Sequence, residues 1–189
     1  YGPYNDVSNR TVVPMDLEID DENRIWATST ISPEYTGNSS WVLNPGIGGG
    51  KLYRLNEEGS SATFINAIKT QFTPSADGIT KLYSGRRTEI TFTADNKLIM
   101  ICYAVKTFPG VARFVPRIYK GTVSDWISGN YNELAQPNDS DSGIEDYDFA
   151  RGQGYYSISL GASPSNQNKV FIGGIDLFSS NTAGNDWGQ

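Results

Sequence analysis

The sequence contains no histidine and only one cysteine. Histidine is the usual general base at neutral pH and the commonest zinc ligand, so its absence excludes Ser-His and Cys-His dyads and histidine-based zinc sites. The single cysteine, Cys102, cannot form an internal disulfide. It follows the apolar residues Leu98 to Ile101, which favours a small buried side chain over a reactive thiol.

Long apolar runs and basic clusters are also missing. No stretch approaches the roughly 20 apolar residues of a membrane-spanning helix. The 15 Lys and Arg against 21 Asp and Glu give a net charge of −6. An acidic chain repels phosphate groups, so we expect neither nucleic acid nor an anionic membrane surface as a partner.

Aromatic residues and glycine are abundant: aromatics make up 12% of the 189 residues, and there are 20 glycines. This composition suits short strands joined by tight turns. One pattern, an Asn followed by a basic residue and apolar residues, occurs three times at intervals of 73 and 72 residues. It indicates an internal repeat. The copies are Asn23-Arg24-Ile25-Trp26, Asn96-Lys97-Leu98-Ile99 and Asn168-Lys169-Val170-Phe171.

The residues around each copy agree as well. An alternating stretch and a turn rich in Asp, Asn and Pro come before it, and a further apolar run follows, which predicts strand, turn and strand. Strict alternation is typical of a strand with one buried face. The predicted first strands are Met15–Ile19, Glu89–Thr93 and Tyr156–Leu160, and the predicted third strands are Lys51–Arg54, Arg117–Lys120 and Asp176–Ser179.

The pattern therefore predicts an all-β segment, residues 1–189, of three antiparallel units with about four strands each. The predicted units span about 12–70, 86–136 and 151–189, with an acidic loop at 137–150 between the last two. The first two units carry predicted loop insertions, 29–50 and 105–116. The best candidate for a helical turn or two is Val123–Leu134, which Gly129 interrupts.

Aromatic residues on the inserted and connecting loops are candidates for stacking on sugar rings. They are Tyr35, Trp41, Phe108 and Trp126. Core packing is the alternative explanation for each of them.

The acidic loop offers oxygen ligands at alternate positions together with Gly143, as in a calcium loop. The ligand order of an EF-hand and its closing Glu are absent, so a solvated acidic loop is the alternative. Calcium is the one cofactor that the sequence suggests. Its candidate ligands are Asp139, Asp141, Asp146 and Asp148.

The end of the chain carries a family resemblance. Arg151-Gly152-Gln153-Gly154 leads into an alternating stretch, and Ser180, Gly184 and Trp187 match the Asp-box pattern, although Thr182 stands where Asp is expected and Asp186 where Thr is. The segment resembles the blades of Asp-box (BNR, sialidase-type) β-propellers. It looks most like those of large secreted Bacteroidota proteins, many of which are cargo of the type IX secretion system.

The resemblance implies propeller blades and a bacterial protein that is secreted or held at the cell surface. Propellers close with four or more blades, so three units imply a partial propeller and a chain that is a fragment of a longer one. The expected partners are the remaining blades of the parent chain or other secretion and surface components, and a glycan. The Asp box is a structural turn and implies no chemistry.

Glycoside hydrolysis requires a pair of carboxylates flanking the scissile bond. The loop acids Glu34, Glu57, Asp125 and Asp146 are not paired by any motif in the sequence. We therefore expect a non-enzymatic segment whose loops bind a glycan, polymer or protein. The alternative is part of a propeller glycoside hydrolase, sialidase-like or glucanase-like.

Overall fold

A computed structural model of the chain describes residues 4–5, 11–31, 34–36, 40–42, 51–55, 62–67, 87–109, 111–154 and 156–189. These residues form fourteen strands and one short helix. The elements are β1 (Tyr4–Asn5), β2 (Thr11–Ile19), β3 (Ile25–Ile31), β4 (Glu34–Thr36), β5 (Ser40–Val42), β6 (Lys51–Leu55), β7 (Ala62–Ala67), β8 (Thr88–Phe92), β9 (Lys97–Phe108), β10 (Val111–Thr122), α1 (Val123–Ser128), β11 (Asn132–Leu134), β12 (Ser159–Ala162), β13 (Val170–Gly173) and β14 (Leu177–Ser180).

The strands form three main antiparallel sheets, which confirms the all-β prediction. The first sheet has the order β1-β2-β3-β6-β7, the middle sheet β11-β10-β9-β8, and the third sheet β12-β13-β14. Each of the three sheets is a meander in which strands that follow one another in that sheet are hydrogen-bonded neighbours. Strands β4 and β5 form a separate two-stranded ribbon inserted between β3 and β6.

The repeated Asn has a specific backbone role in the first two sheets. Asn23 and Asn96 have φ values of 60° and 55°, in the left-handed region that Asn tolerates better than most residues. In each turn the Asn N–H donates to the residue three positions earlier, at 3.0 Å for Asn23 and 2.8 Å for Asn96. This is a three-residue hairpin connection closed by a left-handed residue. The interval of 73 residues between Asn23 and Asn96 is therefore the interval between two turns of the same type.

The third turn is longer. Ser163 N–H donates to the Lys169 carbonyl, and Lys169 N–H donates to the Asn166 carbonyl. Asn168 is not among the residues with positive φ. The third copy of the Asn pattern therefore precedes a strand, as in the other two, but reaches it through different turn geometry.

Two predicted boundaries were wrong. The predicted insertion 105–116 belongs mostly to a long hairpin, because β9 continues to Phe108 and pairs in unbroken register with β10 from Val111. Pro116 lies within β10, opposite Tyr103. In the third sheet, β12 begins at Ser159 and not at Tyr156, because Tyr156 and Ser157 both donate backbone N–H groups to the Gln153 carbonyl in a turn.

The helical turn at Val123–Ser128 is capped at both ends. Thr122 and Asp125 form a reciprocal capping box, and Gly129, with φ of 79°, ends the helix in the left-handed conformation. Trp126 on this helix is fully buried, donates its indole N–H to the Leu98 carbonyl at 3.1 Å, and stacks on Tyr131. Through this hydrogen bond the helix, which follows β10, is tied to β9.

The middle sheet is covered on both faces. Leu98, Met100, Cys102 and Ala104 belong to a buried cluster with Trp26 and Leu52 of the first sheet. The alternate residues of β9 belong to a second cluster with residues of the third sheet, and this second cluster contains Ile99, Ile101, Tyr103, Phe149, Ile158, Val170, Ile172 and Phe178. Burial on both faces explains why β9 is continuously apolar and does not alternate.

Strand β8, the first strand of the middle sheet, packs beside β2 of the first sheet and beside β12, the first strand of the third sheet. We call β2, β8 and β12 the inner strands. Asp16 bridges two of them: its Oδ2 accepts the backbone N–H of Ile90 on β8 at 2.8 Å. The register of β2 on β3 shifts between Pro14 and Leu17, which places Asp16 at an irregularity in the ladder.

The turn after β14 is held by two hydroxyl groups. Ser180 is buried, and its Oγ accepts the backbone N–H groups of Thr182 and Gly184 at 3.1 and 2.8 Å. Thr182 Oγ1 accepts the Asp186 N–H at 2.9 Å. A bridge between Ser179 and Gly188 follows the turn.

No helix within the described ranges is long and apolar enough to cross a membrane.

We expect Asn23→Ala to lower the free energy of unfolding by about 1 kcal/mol, because alanine is strained at a φ of 60°. Asn23→Gly is the matched control, because glycine adopts this conformation without strain. Urea unfolding of the three proteins measures the difference. Equal losses for the Ala and Gly variants would contradict the role of Asn23 as a left-handed turn residue.

Candidate functional site

The acidic loop at 137–150 is organised by one arginine. Arg151 Nε donates to Asp139 Oδ2 at 2.8 Å, and its Nη2 donates to Asp141 and Asp176 at 2.6 and 2.7 Å. Asp176 precedes β14, so the guanidinium connects the loop to the third sheet. Arg151 itself has a positive φ of 49°.

The structure brings two of the four predicted calcium ligands, Asp139 and Asp141, together with Asp176. Carboxylate oxygens of Asp139, Asp141 and Asp176 lie within 4.8 Å of one another, but the Arg151 guanidinium hydrogen-bonds all three. Among the described residues, Asp146 and Asp148 belong to no such group. Asp146 is exposed, and Asp148 Oδ2 accepts the Gly152 N–H at 2.6 Å. The alternate spacing of the acids therefore does not translate into one ligand set.

The electrostatics of the loop agree with an internal ion-pair network. The hydrogen bonds from Arg151 lower the pKa of the buried Asp139 carboxyl, and they outweigh the burial that would raise it. The same bonds to Asp139 and Asp141 raise the pKa of Arg151. By contrast, burial raises the pKa of Asp148, against the opposing effect of backbone hydrogen bonds from Gly152 and Ala150.

Phe108, one of the predicted sugar-stacking residues, has an aromatic neighbour that sequence reasoning missed. It lies at the end of β9, beside the turn of the long hairpin, and its ring centroid is 4.2 Å from that of Tyr147, with the rings inclined by 38°. Both side chains are partly exposed. Tyr147 lies between the exposed Asp146 and the half-buried Asp148. We call the two rings the Phe108–Tyr147 platform.

The other predicted aromatic residues have different positions. Tyr35 and Trp41 lie directly opposite each other in the β4–β5 ribbon, and their side chains lie outside the described part of the structure. Trp126 was predicted on a loop but is part of α1, with no exposed surface. It therefore cannot stack on a ligand, and the core-packing alternative holds for this residue.

A second group of acids lies on the inner strands and was not singled out from the sequence. Glu18 on β2 and Glu89 on β8 are both partly buried, and Arg87 Nε lies 2.8 Å from Glu89 Oε1. Burial raises the pKa of Glu18, and the negative charge of Asp16 raises it further. Burial likewise raises the pKa of Glu89, with Arg87 opposing the shift and Asp16 adding to it.

The alternation of β2 concealed these acids because it was expected to bury the apolar residues. In the structure, Glu18 pairs across the ladder with the fully buried Trp26, so both point toward the middle sheet. Leu17 and Ile19 are 64% and 60% exposed. The only signal in the sequence was that Asp16 and Glu18 lie two positions apart on a predicted strand.

No protein-family model matches the chain, and no curated protein sequence matches it. Among solved structures, a GH74 enzyme from Niastella koreensis is similar at 12% sequence identity and a TM-score of 0.32. The match covers 95% of this chain and 30% of that one. At this level of similarity the match assigns neither fold nor activity to the chain.

We expect Arg151→Met to destabilise the protein more at neutral pH than in acid. The pKa of Asp139 is lowered in the folded state, so its contribution to stability is present above the unfolded pKa and is lost as the pH falls through the folded pKa. The difference in melting temperature between wild type and variant should therefore shrink below about pH 4. A difference that is constant from pH 7 to pH 3 would contradict this account.

The same variant tests calcium binding. In the wild type the guanidinium hydrogen-bonds all three carboxylates and offsets part of their negative charge, whereas Arg151→Met leaves them facing one another. We expect millimolar calcium to raise the melting temperature of the variant and to leave that of the wild type unchanged. Magnesium, which accepts this number and geometry of ligands less readily, is the control ion.

Proposed function

We propose that the chain is a non-catalytic scaffold of β-propeller type from a secreted or surface protein, and that it binds a neutral glycan at the Phe108–Tyr147 platform. The propeller arrangement is supported by the inner strands, which lie side by side while the later strands of each sheet run outward from them as a meander. The two-residue strand β1 pairs with the other edge of β2. Sheets that radiate from adjacent inner strands are typical of propeller blades.

The turn after β14 is further support for blades. Ser180, Gly184 and Trp187 are the residues that carry the resemblance to an Asp box, and Ser180 Oγ bonds the backbone of the turn from within. Trp187 donates its indole N–H to the Ala135 carbonyl at 3.0 Å, which ties this turn to the segment after β11. In this proposal the turn has a structural role and takes no part in binding.

The observation that carries the glycan proposal is the contact between Phe108 and Tyr147. Two partly exposed rings from distant parts of the chain pack against each other, with ring centroids 4.2 Å apart. Aromatic faces pack against the apolar C–H face of a sugar ring. The neighbouring Asp146 is exposed, and a carboxylate accepts hydrogen bonds from sugar hydroxyls. A neutral glycan fits better than an anionic one because the chain carries a net charge of −6.

We expect the 189-residue chain to be retarded in native gels that contain a neutral polysaccharide such as a β-glucan or a xylan. Phe108→Ala and Tyr147→Ala should each weaken the interaction by about threefold to tenfold, because each removes one of the two aromatic rings and the contact that positions the other. Tyr156→Ala is the control, because Tyr156 is 53% exposed and stands outside the platform. Equal retardation of all four proteins would contradict binding at the platform.

Glycoside hydrolysis is the second candidate function, and one observation favours it. Glu18 and Glu89 lie on adjacent inner strands, and burial and the charge of Asp16 raise the pKa of both. A carboxyl group with a raised pKa is suited to act as a general acid, and glycoside hydrolysis requires a second carboxylate as base or nucleophile. The acids of the inner strands would then be the reacting groups, and the platform would hold the substrate.

If the chain is a hydrolase, it releases reducing ends from the polysaccharides that it binds. Glu18→Gln and Glu89→Gln should then each reduce the rate by at least about a hundredfold, the usual contribution of a general acid or base. Asp125→Asn is the control, since the Asp125 carboxylate caps α1 and lies on neither inner strand. Binding without release of reducing ends supports the non-catalytic proposal.

A further inference from the structure

The first sheet has an apolar face that nothing in the described structure covers. Leu17 lies opposite Ala27 on β3, and Ile19 lies opposite Ile25, so the four side chains share one face. Trp26 lies on the other face, which packs against the middle sheet. Leu17 and Ile19 are 64% and 60% exposed. Single exposed apolar residues are common, but several on one sheet face indicate a contact surface.

The third sheet has a corresponding free face at the other end of the stack. Phe178, Ile172 and Val170 point into the core shared with the middle sheet. The alternate residues Phe171 and Leu177 therefore point away from it, and they are 39% and 66% exposed. Leu177 lies opposite Gly173, and Phe171 lies opposite Gly161 and Ser179, so the two large side chains stand above small neighbours.

The two free faces are complementary in their order along the stack. The first sheet packs on the middle sheet through the face that holds Trp26, and the middle sheet packs on the third through the face that holds Ile99. We call the face of a sheet that points toward the next sheet in chain order its later face, and the opposite face its earlier face. Each internal interface thus joins the later face of one sheet to the earlier face of the next. The free face of the third sheet is a later face, and that of the first sheet is an earlier face. Together they can form one more interface of the kind already present twice.

We propose that a second copy of this chain covers these surfaces, with the Leu177 face of one copy packed on the Leu17 face of the next. Both halves of the interface are present on every copy, and the contact continues the sheet stacking inside each chain. The two surfaces differ, so the contact is head-to-tail and leads to a closed ring or to a longer chain of copies. The inference rests on the sheet stacking and does not depend on glycan binding.

The head-to-tail geometry permits a complementation experiment. Leu17→Lys blocks one face and Leu177→Lys blocks the other, and lysine is well tolerated at exposed strand positions. We expect the wild-type chain to have a mass above that of one copy in multi-angle light scattering, at concentrations up to about 300 µM. Each variant alone should have the mass of a single copy. An equimolar mixture of the two should form a 1:1 dimer, because one unmodified interface remains.

Ile127→Lys is the matched control, because Ile127 is 49% exposed on α1 and lies on neither end face. It should assemble like the wild type. Circular dichroism and thermal unfolding report whether each variant is folded. A wild-type chain that is monomeric throughout the concentration range overturns the proposal and favours a further sheet of a longer parent chain as the occupant. Assembly of either single variant to the wild-type mass, or a mixture that stays monomeric, also overturns it.

Discussion

Strand β9 has no solvent-facing side between Leu98 and Ala104, and the positions of the other sheets follow from this constraint. Each face of β9 requires an apolar partner, and the first and third sheets supply one each. Burial also explains the behaviour of Cys102, whose pKa is raised to about 12, so that it acts as a small apolar residue and not as a nucleophile. The same stacking brings the inner strands together.

Several carboxylates hydrogen-bond the backbone or other side chains within the chain. Asp20 is buried, and although burial by itself would raise its pKa, hydrogen bonds from Trp26 and Arg24 lower it. Asp16 joins two inner strands, and Arg151 holds the acidic loop against the third sheet. Carboxylates engaged in this way fix the geometry of the scaffold. The Phe108–Tyr147 platform differs because its side chains are partly exposed and lie beside an exposed acid.

The candidate site was predictable only in part. Phe108 was identified because it lies in the predicted loop insertion 105–116, but Tyr147 is 39 positions away and no local pattern connects the two. Trp126 was placed on a surface although its helix packs it against β9. Glu18, an acid of the inner strands, was missed because its side of β2 was expected to face solvent. The alternation in β2 correctly predicted a strand, but periodicity alone does not say which of two faces is buried.

The sequence alone determined the strand content, the repeat and most strand positions, because a period of two and left-handed Asn residues are local properties of the chain. It also excluded histidine-based chemistry. Only the tertiary structure decided which sheet is covered on both faces, which cation pairs with acids of the loop, and which aromatic side chains meet. These outcomes depend on contacts between distant residues, as when the Arg151 guanidinium hydrogen-bonds Asp176 together with Asp139 and Asp141, two of the predicted calcium ligands.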